Sequence, residues 1–443
     1  MNKKSPIGNL LQPPAAREPL CLRNMFGKDL AKDMRTPQYS DFPVEEYQLR
    51  YQRLRHAMDQ HGLDAILITN ETNHRYFAGF TAKVFALYHF YFFTLLPRDR
   101  SLQATFMCAH GFDHIAATTW LPETRFWDVA PDFYMTKSSG GLKMVADVLM
   151  EQGLAESTIG LEMSNDMHAH LGLDHFRQLT ELTPGVQWLD SADAIMDVRT
   201  VKSPAEIEKL RKASQISIQA VRAGFESLAE GMTELELTQR MSAHMFQLGA
   251  TDIRFVTNYA GPRGMWADAM PSYYKIRKGD LVQFDGGCMV DGYWCDFKRM
   301  ASLGKPNDTD QHYYDIAREG IEQATALVQA GVKASDLVKT AFDVNRRHGC
   351  GDFVDWCQAY GWQAIGHGLG LDVHEPPGLA ARNQRPLEAN MVVCVEPFVT
   401  LDGVYPFWSA ERKFGLEDVV LVKEGGHEVL TDKSILSHDL FVV

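Results

Sequence analysis

The chain is poor in cysteine, and what it has is not arranged for metal or redox work. Seven cysteines stand at 21, 108, 288, 295, 350, 357 and 394, with no CxxC pair. An odd, scattered set excludes a disulfide framework or a thiolate zinc site and points to the reduced thiols of a cytoplasmic protein. Long apolar runs are also missing. Nothing approaches the roughly eighteen consecutive apolar residues of a membrane span, so no membrane partner is expected. The first residues, MNKKSPIGNLLQPP, lack the apolar core of a secretion signal, which again leads to a cytoplasmic expectation. Positive charge is in deficit: 44 Lys and Arg against 57 Asp and Glu leave a formal charge of −13. That balance argues against nucleic acid or an acidic membrane surface as a partner. Neither a repeat period nor a low-complexity tract stands out.

What is present is a large reservoir of core-forming residues. A chain of 443 residues with 45% hydrophobic and 23% charged content can fill about two or three domains. Residues 1–40 carry proline and mixed charge without periodicity and read as an N-terminal extension. From Phe42-Pro43 onward, EEYQLRYQRLRHAMDQHG has helical spacing at Tyr47, Leu54 and Met58, and Gly62 is placed to end the helix. DAILIT then reads as a strand and NETNHRYFAGF as a polar loop. YHFYFFTLLP, SLQATFMCA, TRFWDVA and STIGLEM read as further strands, with a helix from Leu142 to Glu151. This alternation predicts an α/β domain over 41–198. The character then changes. Ser203-Pro204 with Glu206 is a helix-start signature, and a second helix begins at Thr233, so a second domain is expected over 199–443.

The chemistry concentrates in QFDGGCMVDGYWCDFKR, residues 283–299. Leu281 to Phe284 reads as one strand, Asp291-Gly292 as a two-residue turn, and Tyr293 to Phe297 as the returning strand. Such a hairpin can bring Asp285 and Asp296 toward one point. Two buried carboxylates at one point repel, so they need a shared proton or a cation. Alternatively, one aspartate caps a turn and the other pairs with Lys298 or Arg299. Three further residues of metal-ligand type follow. His367 lies among glycines in AIGHGLGLDVHEPPG, Glu396 ends the apolar strand MVVCVEP, and Glu417 lies in FGLEDVVLV. A carboxylate at the end of a valine-rich strand is unusual because its unpaired burial is costly. Two Asp, two Glu and one His suit a pair of divalent ions of the Mn²⁺, Fe²⁺, Co²⁺ or Zn²⁺ kind.

The stretches DGG…DGYWCDFKR, GHGLGLDVHEPPG, VCVEP and GLEDVVLV resemble the successive metal motifs of the M24, or pita-bread, family. That family includes methionine aminopeptidase, Xaa-Pro aminopeptidase, prolidase and creatinase. FPVEEYQLRYQRLRHAMDQHGLDAILIT, TNHRYFAGF and VRTVKSPAEIEKLRKA resemble its creatinase-type N-terminal half and interdomain entry. The resemblance implies an α/β creatinase-type N-terminal domain followed by an α+β pita-bread catalytic domain. It implies two divalent ions held by Asp285, Asp296, His367, Glu396 and Glu417, a bridging hydroxide as nucleophile, and hydrolysis of a C–N bond in an Xaa-Pro peptide, a dipeptide or a small amide. It further implies that His374 steadies the substrate carbonyl, that Glu396 also shuttles a proton, and that the protein is a homodimer acting on a small molecule or short peptide.

The chain departs from that pattern in two places. YAGPRGMWADAMPSYYKIRKGD holds no histidine where the peptidases carry one upstream of the first aspartate. Arg263, Trp266, Asp268 and Tyr273 are the substrate-binding candidates there instead. Gly415 stands where Xaa-Pro peptidases carry arginine, with Arg412 nearby to compensate. The histidine-poor GPR…W stretch also resembles the dimethylsulfoniopropionate lyases, although those carry Asp-x-Asp where this chain has Asp285-Gly286-Gly287. That resemblance implies metal binding of a carboxylate and a base, Asp372 or Tyr273/Tyr274, that removes an α-proton.

Overall fold

The computed structural model describes residues 41–82, 91–109, 119–128, 140–164, 167–264, 269–401 and 412–443. The chain divides into two compact units, Met1–Ile195 and Met196–Val443. No helix among the described residues is long and apolar enough to cross a membrane.

In the first unit, α1 (Val44–His61) buries Tyr47, Arg50, Tyr51, Leu54, Ala57 and Met58, a stripe at helical spacing, and stops at Gly62, whose φ of 67° is left-handed. The strands are β1 (Ala65–Ile68), β2 (Phe93–Pro97), β3 (Thr105–Ala109), β4 (Glu123–Trp127), β5 (Thr158–Leu161) and β6 (Gln187–Asp190). They form one mixed sheet in the order β4-β3-β2-β1-β5-β6. β1 is antiparallel to β2 and parallel to β5. Its four residues are all buried, as expected of a central strand covered on both faces. Leu67, Phe93, Leu95 and Met107 pack with Leu142, Val145 and Leu149 of α2 (Gly140–Glu151). α3 (Leu173–Leu182) lies between β5 and β6 in the chain. The stretch read as a polar loop instead forms two helical turns, Glu71–Asn73 and His74–Ala78, and is largely buried. Its polar side chains have specific partners. Asn73 Nδ2 donates to Glu162 Oε1 at 2.8 Å, and the His74 ring bonds Phe92 O and Thr94 Oγ1 at 3.1 and 3.0 Å.

The division falls inside α4 (Ala192–Arg199). The second unit starts with two helices that carry reciprocal capping boxes. These are Ser203 with Glu206 for α5 (Pro204–Glu226) and Thr233 with Glu236 for α6 (Glu234–Gln247). A second pair, α7 (Asp308–Ala326) and α8 (Ala334–Arg347), precedes α9 (Gly351–Tyr360). One sheet contains β7 (Asp252–Ala260), β8 (Leu281–Val290), β9 (Tyr293–Trp294), β10 (Phe297–Ser302) and β17 (Phe441–Val442). Another contains β11 (Gly366–Gly368), β12 (Val392–Val395), β15 (Asp418–Lys423) and β16 (Gly426–Val429), while β13 (Phe398–Leu401) and β14 (Arg412–Gly415) form a ribbon. α5 is pinned to β8 where Cys288 N donates to Ser217 Oγ at 2.9 Å. The core of this unit joins Ile321, Val338 and Val354 of α7, α8 and α9 to Val393 and Val420 of the second sheet.

Candidate metal centre

The aspartate-bearing strands form a hairpin whose turn is set by backbone conformation. Asp291 and Gly292 both have positive φ, 48° and 86°, and Val290 pairs directly with Tyr293. Two positive φ values are what a type I′ turn demands. The strand before the turn is longer than its sequence indicated, running unbroken through Gly286-Gly287. A Cβ on Gly286, where φ is 115°, would collide with Phe255 O, and one on Gly287 would collide with Cys295 O. Those glycines thus allow close backbone approach. The returning strand breaks after Trp294 and resumes at Phe297, and Asp296 falls in the gap. Trp294 holds that break in place, its N donating to Gly370 O at 3.0 Å and its Nε1 to Leu371 O at 2.9 Å.

The other three residues come from the second sheet. His367 lies in β11 opposite Cys394 of β12. Glu396 follows β12 and is fixed by its N–H to Ile365 O at 2.8 Å. Glu417 stands just before β15 and exchanges backbone hydrogen bonds with Lys298, at 3.1 and 3.3 Å. This bridge joins the two sheets and brings the five residues together. Single ligand atoms of Asp285, Asp296 and Glu417 all lie within 4.8 Å of one another. The same limit holds for Asp296, His367 and His374, and for His367, Cys394 and Glu417. His367 Nε2 is 3.6 Å from Glu396 Oε1 and 3.9 Å from Asp296 Oδ2. Because its Nδ1 donates to Gly368 O at 3.0 Å, the Nε2 lone pair faces the carboxylates. Burial, only partly offset by Glu396, keeps this imidazole below its ordinary pKa and hence neutral.

The electrostatics require a positive partner. Asp285, Asp296 and Glu417 are 4%, 3% and 1% exposed. Burial, with Asp296, Glu396 and Asp285 adding to it, pushes the Glu417 carboxyl far above the usual carboxylate range. Glu417 Oε1 finds no hydrogen-bond partner among the described residues. An oxygen-rich cluster with one neutral imidazole and an unsatisfied buried carboxylate oxygen fits a divalent cation. Sequence reasoning passed over Cys394, whose thiol burial keeps protonated, so it adds a weak donor at most. One cation is built in. Lys298 Nζ lies 2.8 Å from Asp285 Oδ2, which also accepts from Tyr259 OH at 3.4 Å. Burial opposes the Lys298 charge, but Asp285, Tyr259, Glu396 and Glu417 overcome that and hold its pKa well above the ordinary value. The two readings of the hairpin were therefore not exclusive: Asp285 pairs with lysine and also belongs to the carboxylate cluster.

His374 is exposed at the edge of the cluster, its ring edge-on to His367 with centroids 4.2 Å apart. The remaining candidates lie elsewhere or are engaged elsewhere. Asp372 is ion-paired with buried Arg199 at 2.8 Å, which ties up the carboxylate expected to act as a base. Arg263 binds Glu234 at 3.0 Å and Met270 O at 2.8 Å. Arg412 pairs with Asp310 and lines a cavity of about 450 Å³ with Gly261, Pro262, Gln283 and Lys413. Tyr273 is 80% exposed. Trp266 and Asp268 lie outside the described residues.

Comparison with known proteins adds a family to this geometry. The profile of Metallopeptidase family M24 matches residues 208–424, and that of the Creatinase/Prolidase N-terminal domain matches 50–201. An uncharacterized peptidase of Staphylococcus haemolyticus is 32% identical over 270 residues, 59% of this chain and 71% of its own. A Xaa-Pro dipeptidase of Pyrococcus furiosus is 27% identical over 390 residues, 86% of this chain and 97% of its own. The solved structure of a Xaa-Pro dipeptidase from Bacillus anthracis matches with a TM-score of 0.73 at 25% identity, covering 90% of this chain and 100% of that one. These relatives are peptidases, and they lend no support to the expectation of a lyase acting on dimethylsulfoniopropionate.

Proposed function

Because the chain belongs to metallopeptidase family M24, and is a metallohydrolase with a creatinase-type N-terminal domain and a pita-bread catalytic domain, we propose that it hydrolyses a C–N bond in an Xaa-Pro dipeptide, a short Xaa-Pro peptide or a small amide. The observation that carries this reading is the convergence of Asp285, Asp296, His367, Glu396 and Glu417 from two sheets onto one largely buried cluster. These five side chains line the site that would hold the divalent metal. Mn²⁺, Fe²⁺, Co²⁺ or Zn²⁺ bound there supplies an activated water and a polarised carbonyl.

The chain's own groups do the rest. His374, exposed beside His367, donates a hydrogen bond to the carbonyl oxygen as negative charge develops on it. Glu396, whose side chain is 31% exposed, takes a proton from the attacking water and delivers it to the departing nitrogen. His367, kept neutral by burial, contributes a nitrogen lone pair rather than a competing positive charge. The substrate is a small molecule or short peptide, and the reading includes a homodimer in the cytoplasm.

The test is release of free proline from a panel of Xaa-Pro dipeptides by metal-stripped protein resupplied with each of the four ions. Metal-dependent release supports the proposal. Absence of cleavage of dipeptides, longer Xaa-Pro peptides and small amides with every ion overturns it.

A further inference from the structure

We infer that Lys298 is a resident cation standing in for one divalent ion, so that this centre holds a single divalent ion per chain. The inference rests on reading the carboxylate cluster as a metal centre and concerns only how many ions that centre takes.

The position of Lys298 follows from strand register. In β10 it is the direct partner of Asp285 in β8, and on its other side it is bridged to Glu417. Cross-strand partners project to the same face. Lys298 therefore enters the cluster between two of its carboxylates, whereas Phe297 and Arg299 point to the opposite face. The lysine is 4% exposed, so water does not solvate its ammonium and the cluster must supply its counter-charge. It does so at 2.8 Å through Asp285 Oδ2, the same oxygen that Tyr259 OH approaches at 3.4 Å.

That contact has a consequence for coordination. An ion chelated by both oxygens of Asp285 needs lone pairs on Oδ2 that the ammonium and the phenol already occupy. To vacate them, the lysine would have to leave a buried site. The space along its stem is linked to position 415: a Cβ on Gly415 would lie 3.6 Å from Lys298 Cδ and 3.2 Å from Phe398 Cβ. The absence of a side chain at 415 and the presence of a long one at 298 thus describe one packing arrangement. On the far side of the cluster, His367 Nε2, Glu396 Oε1, Asp296 Oδ2 and the buried carboxylate of Glu417 remain. One nitrogen and three carboxylates suffice for a single first-row divalent ion.

The experiment counts ions rather than turnover. Metal-stripped full-length protein is equilibrated with excess Mn²⁺, dialysed to equilibrium, and its manganese measured per chain. Its paramagnetic resonance spectrum is recorded in parallel. The wild type is expected to hold one ion, with the resolved hyperfine lines of an isolated Mn²⁺. Lys298→Thr, which removes the ammonium and opens the space, is expected to hold two, with the broadened spectrum of a coupled pair. Two ions in the wild type overturn the role of Lys298 and leave the hydrolase reading intact. One ion in a Lys298→Thr protein that still melts cooperatively also overturns it. No retained ion in the wild type overturns the metal centre itself. If the variant does not fold, the wild-type count and spectrum decide the matter alone.

Discussion

Replacing Glu375 by Gln is expected to destabilise the protein at neutral pH and flatten its response to acid. Glu375 is 4% exposed and accepts from Arg199, from Lys202 Nζ at 3.1 Å and from Asp372 N at 3.1 Å. Its backbone exchanges hydrogen bonds with Gly368 at 2.8 and 2.9 Å, so the same residue holds the loop that places His374 against His367. Burial works against its charge, but Arg199 and Lys202 overcome that and bring its pKa down to about 2, from a reference value of 4.5. A depressed carboxylate pKa means that the unfolded state binds the proton more readily. The stabilisation is therefore complete above pH 4.5 and is lost as pH falls toward 2. Each unit corresponds to about 1.4 kcal/mol, which gives a contribution of ~3 kcal/mol at pH 7. Glutamine keeps the shape and removes the charge, leaving Arg199 and Lys202 buried without their counter-ion. Loss of one partner from a buried pair costs about 3–5 kcal/mol, in the same range. Urea unfolding of both proteins at pH 7 and pH 3 measures the difference. The gap should be about 3 kcal/mol at pH 7 and clearly smaller at pH 3. A gap below about 1 kcal/mol at pH 7, or one unchanged at pH 3, refutes the assignment of the charge to this network.

Two further perturbations separate chemistry from architecture. His374→Ala should lower kcat by about 10²–10³-fold, the range for losing one oxyanion donor, without altering metal content; loss of metal along with activity would make it a ligand instead. Gly286→Ala forces a side chain toward Phe255 O at a φ of 115°. It should lower the melting temperature by an amount equivalent to about 1–3 kcal/mol, and an unchanged melt would show that the strand shifts at little cost.

Local rules were legible in the sequence, and long-range pairings were not. The helix starts at Ser203 and Thr233 and the Asp291-Gly292 turn follow from neighbouring residues alone, and the structure has them. Glu396 and Glu417 stood out because carboxylates beside valine-rich strands demand a partner, and Asp285 and Asp296 because a hairpin brings two carboxylates toward one point. By contrast, NETNHRYFAGF looked like a loop because Asn73 and His74 are polar, and their partners Glu162, Phe92 and Thr94 are remote in the chain. Arg263 and Arg412 looked available for substrate for the same reason, since Glu234 and Asp310 gave no local sign of claiming them. The helix pair α5 and α6, of 23 and 14 residues, recurs as α7 and α8, of 19 and 14.

The bridge between Lys298 and Glu417 also bears on mechanical cohesion. Of the five residues of the cluster, Asp285 lies on one sheet and Asp296 in the break of its returning strand, while His367, Glu396 and Glu417 lie on or beside the other sheet. An ion gripped by both groups is a rivet through the seam. Prising the sheets apart would mean releasing it, so the grip on the ion and the resistance of the seam to opening are one free energy measured from two directions.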